Sequence, residues 1–194
     1  MDFNRTLPRR VVVTGAQSGI GRAVSEAVIA SGGKVFGIDR TEGAWEAAGF
    51  TARTADITDA GSVTQVFEEV ESILGGSPDA VVHCAGIYRH SAIESTSLDE
   101  WNLSMTVNST GSFLVSQAAS RVMESGAIVL LTSVAYARGD RLEPCLELSG
   151  VAGFGKSSAD LHDRPAGRCG HAHERGREWT VQRPALREPC RRDH

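Results

Sequence analysis

Gly15, Gly19 and Gly21, in the stretch VVVTGAQSGIG (residues 11–21), have the spacing G-x3-G-x-G. This spacing suits a phosphate cradle. A helix N-terminus carries unpaired N–H groups and a partial positive charge, and both favour a diphosphate. Glycines let the backbone turn sharply and come close to such a ligand. Gly15, Gln17, Ser18, Gly19, Ile20 and Gly21 are therefore candidate dinucleotide contacts. A glycine triplet alone describes an ordinary strand-to-helix turn equally well. The surroundings separate the two readings: a strand precedes the turn, a helix follows it, and the next strand ends in an acid, Asp39. Asp39 lies close to the roughly 20-residue spacing at which a carboxylate holds ribose hydroxyls. It would repel a 2′-phosphate, which favours NAD over NADP. Arg40 is the counter-argument, because it can pair with that phosphate.

These residues need elements to place them. Val11–Thr14 reads as a short buried strand of β-branched residues. Ile20, Ala23, Val24, Ala27 and Val28 fall at helical spacing, and Gly32-Gly33 stops that helix. Lys34–Asp39 is a second strand, and Thr51–Ile57 (TARTADI) holds a third. Val63, Val66, Phe67, Val70, Ile73 and Leu74 form another helical stripe, closed by Gly75-Gly76. Ala80–His83 is the fourth strand. Ser97-x-x-Glu100 is a capping box opening a long helix to about Glu124, with Gly126 as its stop. Ala127–Thr132 is the fifth strand. Strands alternating with helices give βαβ crossovers, so the fold class is α/β: a Rossmann-like, doubly wound parallel sheet with helices on both faces. The near-continuous apolar runs suit strands covered on both sides.

Composition bounds the rest. The chain has 194 residues, 41% hydrophobic and 23% charged, with a formal net charge of −4. That balance argues against nucleic acid as the main partner. No apolar run approaches the roughly 20 residues of a membrane span, and MDFNRTLPRR has no apolar signal region. Cys84, Cys145, Cys169 and Cys190 show no CxxC spacing, so reduced thiols in a cytoplasm are the expectation. His83 and Cys84 read as packing residues, and no metal site is expected because no second metal-type cluster accompanies them.

TGAQSGIG (14–21) resembles the TGxxxGxG element of the classical short-chain dehydrogenase/reductase family. Four further elements follow in the family's order. Asp56-Ile57 in TADITD resembles the acid–aliphatic pair beside the adenine. Cys84-Ala85-Gly86 in VVHCAGIY resembles the NNAG element, with His83 and Cys84 replacing its two asparagines. Asn108 in MTVNSTG resembles the active-site helix Asn, and Ser133 in IVLLTSVA the catalytic Ser. Bland alternatives stand beside them. Asp56 also suits a turn or N-cap, Asn108 a solvated helix position, and Ser133 a strand end. Tyr88-Arg89-His90 reads as a loop bordering the substrate region. The resemblance, over about 1–137, implies an NAD(P)-dependent oxidoreductase acting on a small-molecule alcohol/carbonyl pair. It also implies association through the fourth and fifth helices. The first of these is intact and the second disrupted, so a homo-oligomer stays open.

The family mechanism requires a Tyr general acid/base with a Lys four residues later, about a dozen residues after Ser133. The region there reads GDRLEPCLELSGVAGFGK. The only tyrosines are Tyr88 and Tyr136 and the only lysines Lys34 and Lys156, so Y-x-x-x-K is absent. Tyr136 comes too early and Lys156 too late to replace the pair. The expected organisation is one NAD(P)-binding domain over 1–162 and an Arg-rich irregular tail over 163–194, with eight Arg and no Lys. Two explanations stand side by side. One is a shifted reading frame: His173–Thr180, read one nucleotide on, can encode MNVVANG, which resembles the family's RVNAVAPG. The other is a divergent homologue that has lost its acid/base and binds the dinucleotide without turnover.

Overall fold

A computed structural model describes residues 7–43, 45–89, 92 and 94–131. Ser133, Tyr136, Lys156, the boundary at 162/163 and the Arg-rich tail lie outside the described residues. The elements run β1 (Arg10–Thr14), α1 (Gly19–Ala30), β2 (Lys34–Asp39), β3 (Phe50–Thr54), α2 (Ala60–Glu68), α3 (Val70–Leu74) and β4 (Ala80–His83). They continue with α4 (Leu98–Met105), a π-helical turn (Thr106–Thr110), α5 (Gly111–Val122) and β5 (Ala127–Leu130).

The five strands form one parallel sheet in the order β3-β2-β1-β4-β5. Alternation along β1 divides the core. Val12 joins Phe36, Ile38 and Val81 under the inner faces of α2, α3 and α5. Val11 and Val13 face the other way, onto Val24, Val28 and Ile29 of α1. Helices therefore cover both faces, as the apolar strands require. At the end of the sheet away from the glycine turn, the Asp79 carboxylate accepts the backbone N–H groups of Arg9 and Arg10 and the Arg10 guanidinium. It ties the start of β1 to the start of β4.

Five expectations change in detail. The buried face of α1 is Gly21, Val24, Ser25, Val28 and Ile29, while Ala23 and Ala27 are exposed and Ile20 is 61% exposed. Gly21 must lie against the preceding turn, and that turns Ile20 outward. Ser25 is tolerated inside because its hydroxyl donates to the Gly21 carbonyl at 2.9 Å. The third strand ends at Thr54, which leaves Asp56 and Ile57 in the turn beyond it. The stripe from Val63 to Leu74 is buried as expected but is carried by two helices that break at Glu69. The long helix after Ser97 is interrupted by the π-helical turn. There the Ser112 hydroxyl donates to the Asn108 carbonyl at 2.6 Å, a side chain competing with the helical ladder. The fifth strand closes at Leu130, two residues sooner than expected.

Candidate functional site

A cleft of about 420 Å³ opens at the carboxyl ends of β1, β2 and β4, where the strand order changes direction. In open α/β sheets that switch point is where ligands bind. Five stretches supply the walls: the β1–α1 turn, the end of β2, the turn after β3, the segment after β4 and the stretch from α4 into the π-helical turn. Every candidate dinucleotide residue of the sequence lines this cleft except Gln17. The Gln17 side chain lies against Gly43 and borders a separate hollow beside Trp45.

The start of α1 is open. Ser18 holds the N-cap position in extended conformation (φ −147°, ψ 167°), yet its side chain makes no capping hydrogen bond and the first turn carries no acid. The first-turn N–H groups are thus left to face the cleft. Gly19 has φ +50°, and a Cβ added there would meet nothing within 4 Å. Gly15 has φ +66°, and a Cβ there would stand 2.9 Å from the Ala85 nitrogen. At Gly21 a Cβ would run into the Gly15 carbonyl. Gly15 lets the turn pack on the segment after β4, Gly21 lets the helix pack on the turn, and Gly19 leaves space in front of the helix.

Asp39, at the end of β2, holds the rim of the cleft. Its Oδ2 accepts the Gln17 N–H at 3.1 Å, and Oδ1 accepts the N–H groups of Arg40 at 2.8 Å and Thr41 at 3.4 Å. Gln17 therefore contributes through its backbone. Asp56 is exposed, and its Oδ1 accepts the backbone N–H and the hydroxyl of Thr58 at 2.8 and 2.7 Å. Those two bonds, followed by the Arg40 charge, outweigh partial burial and hold the carboxyl below its ordinary value. Asp56 is a turn residue here; the cap of α2 is Asp59, which accepts the Ser62 N–H.

Immediately before the cleft-lining Gly15 and Cys84 come Thr14 and His83, register partners at the ends of β1 and β4. The Thr14 hydroxyl and His83 Nδ1 are 2.7 Å apart, and the same hydroxyl accepts the Ala85 N–H at 3.2 Å. His83 is buried as expected of a packing residue, and burial pushes its pKa down to about 4. Burial likewise pushes the Cys84 thiol up, so it is protonated at neutral pH. Among the described residues no group of three or more His, Cys, Asp or Glu could hold a metal.

Asn108 sits in the π-helical turn and clasps the segment after β4. Its Nδ2 donates to the Ile87 carbonyl at 3.0 Å, and its Oδ1 accepts the Ile87 N–H at 2.9 Å. It is half-buried, with both amide ends committed, and is not a solvated helix position.

The family profile described as short chain dehydrogenase matches residues 9–142. The chain belongs to the short-chain dehydrogenase family. Among its relatives is the (3R)-3-hydroxyacyl-CoA dehydrogenase of Canis lupus familiaris, 32% identical over 180 residues, covering 81% of this chain and 70% of that protein. The 3-oxoacyl-[acyl-carrier-protein] reductase of Salmonella typhimurium is 32% identical over 159 residues, covering 76% of this chain and 65% of that protein. The ligand-free aldohexose dehydrogenase of Thermoplasma acidophilum superposes with a TM-score of 0.66 at 28% identity. That match covers 72% of this chain and spans 55% of the solved one. Among the described residues, no helix of this short-chain dehydrogenase is long and apolar enough to cross a membrane.

Sequence reasoning missed several wall residues. Leu103, Thr106 and Val107 close the cleft from the α4 side, and the break that brings them there has no period to announce it. Thr14 was legible only as a strand end. Its hydroxyl becomes a hub because parallel register sets it beside His83.

Proposed function

We propose that this chain is an oxidoreductase that holds a nicotinamide dinucleotide with its diphosphate against the start of α1. The uncapped Ser18 end, with no acid in its first turn and open space at Gly19, carries this reading. The residues fit the group. Gly15, Ser18, Gly19, Ile20 and Gly21 would face the diphosphate, Asp39 the adenosine ribose, Asp56 and Ile57 the adenine, and Cys84, Ala85 and Gly86 the opposite wall. Three backbone N–H groups fix the Asp39 carboxylate in place, which favours NAD and opposes a 2′-phosphate. When bound, the coenzyme supplies the hydride donor or acceptor.

The substrate class is a secondary alcohol/carbonyl pair. The names of the relatives support it, one a hydroxyacyl dehydrogenase and the other an oxoacyl reductase. Ser133 would orient the substrate oxygen. Asn108 would keep the Ile87 backbone and the segment after β4 in place beside it. The reading places the protein in the cytoplasm, and its helix over 98–122 gives a homo-oligomer one of the surfaces the resemblance implies.

The absence of Y-x-x-x-K from the sequence favours a second reading, a dinucleotide-binding protein without turnover. Loss of positioned proton transfer costs about 10² to 10⁴-fold in rate. Fluorescence titration with NADH and NADPH, run beside a turnover assay on secondary alcohols, separates the two. Binding with turnover supports the enzyme, and binding alone supports the second reading. NADH should bind about tenfold tighter than NADPH, with Asp39→Ala narrowing the gap. Well-folded protein that binds neither coenzyme overturns both readings.

A further inference from the structure

We infer that His83 is a positioning residue: its Nδ1 accepts the Thr14 hydroxyl proton and so orients the oxygen that holds the Ala85 N–H at the cleft wall. The functional consequence rests on the coenzyme reading above; the hydrogen-bond assignment does not. The two side chains end adjacent parallel strands, and Thr14 is 0% and His83 3% exposed. Buried at this depth, neither can exchange its partner for bulk water.

Counting protons fixes the direction of the bond. The Thr14 oxygen already accepts from Ala85, and a hydroxyl has one proton to give and two lone pairs. If the hydroxyl donates to Nδ1, the imidazole proton sits on Nε2, and one buried group lacks a partner among the described residues, the Nε2–H. If Nδ1 carried the proton and donated to Thr14, the Nε2 lone pair and the Thr14 proton would both lack one. Each unmet buried polar group costs free energy, so the first arrangement is preferred. A protonated ring would force the second direction and bury an unpaired charge.

The Thr14 backbone carbonyl also accepts the Cys84 N–H at 3.2 Å. Thr14 thus grips the start of the β4 wall at two points. That wall already stands as close to Gly15 as an absent Cβ allows. The His83 ring selects which way the Thr14 hydroxyl points, and with it whether the wall keeps this spacing.

Four proteins test the inference: wild type, His83→Leu, Thr14→Val and the double variant. NADH affinity and urea unfolding are measured on each. Each single variant should weaken NADH binding about tenfold, with the double within about twofold of either single. His83→Asn should restore affinity to within about threefold, because its amide oxygen takes the place of Nδ1. Nitrogen-15 shifts of wild-type His83, assigned by difference from His83→Asn, should show Nε2 protonated and Nδ1 free at pH 7. Additive losses, no rescue, or a proton on Nδ1 overturn the assignment. Should wild type bind no NADH, the coenzyme reading falls. The same cycle in unfolding midpoints then decides the strut: coupling supports it and additivity overturns it. Should His83→Leu fail to fold, the wild-type tautomer and the His83→Asn rescue decide.

Discussion

Among the described helices two start at a serine, and only one of those serines caps its helix. Ser97 accepts the Glu100 N–H, and Glu100 reaches back to the Ser97 N–H and hydroxyl, so α4 is closed by its own side chains. Ser18 has the extended backbone a cap needs but makes no such bond. The difference lies three residues on. Glu100 fills that position in α4, and Gly21 fills it in α1, where no side chain exists to reach back. The self-closed end satisfies its donors at once. The glycine end leaves them for an anion, and its glycines let the backbone come close.

The largest effect comes from putting atoms into the open end. Gly21→Ala drives a Cβ into the Gly15 carbonyl, where only backbone can move. It should cost about 3 kcal/mol or more in urea unfolding, or prevent folding. Gly19→Ala meets open space and carries only the strain of φ +50°, about 1–2 kcal/mol. If the two unfold alike, the turn is not packed as described and the contrast between the helix starts loses its basis.

Acid should separate the two regions next. The folded pKa of His83 is about 4 against an ordinary 6.5, with burial the cause. Between those values the unfolded chain takes a proton that the folded chain refuses. The His83 contribution is therefore present above pH 6.5 and lost as pH falls toward 4, by up to about 3 kcal/mol. Glu100 shares the direction but not the cause. The Ser97 N–H, then its hydroxyl, hold its carboxyl below the ordinary 4.5. Its contribution is present above that value and goes only as pH drops through the lowered one. The gap between the unfolding midpoints of wild type and His83→Asn, followed from pH 7 to 3, should change between about pH 6.5 and pH 4 and stay constant outside that window. Parallel curves throughout would show that the ring is not buried neutral.

Much of this contrast was legible in the residues. Ser97-x-x-Glu100 announced a closed helix start, and Gly15, Gly19 and Gly21 between a β-branched run and a helical stripe announced an open one. The parallel sheet with helices on both faces followed from strands alternating with helices; the strand order β3-β2-β1-β4-β5 did not. The rest depended on packing that no period encodes. Ile20 fits the helical stripe, yet the close approach of Gly21 turns it outward. Asn108 lies in a run that reads as one long helix. Only the three-dimensional path shows the ladder slipping there so that its amide meets Ile87. His83 read correctly as a packing residue. Its bond to Thr14 depends on the β1–β4 register, a relation between residues 69 apart.

The smallest effect sharpens the comparison most directly, because it changes the same atom at both ends. Ser97→Ala removes the hydroxyl that accepts the Glu100 N–H and should lower stability by about 1 kcal/mol. Ser18→Ala removes a hydroxyl that caps nothing, so its unfolding midpoint should stay within about 0.5 kcal/mol of wild type. A full-sized loss at Ser18 would mean that its hydroxyl does cap α1 in solution. The first-turn donors would then already be committed, and an incoming diphosphate would have to displace that bond. Equal, small effects at both serines would instead show that the Glu100 carboxylate, and not the serine, closes α4.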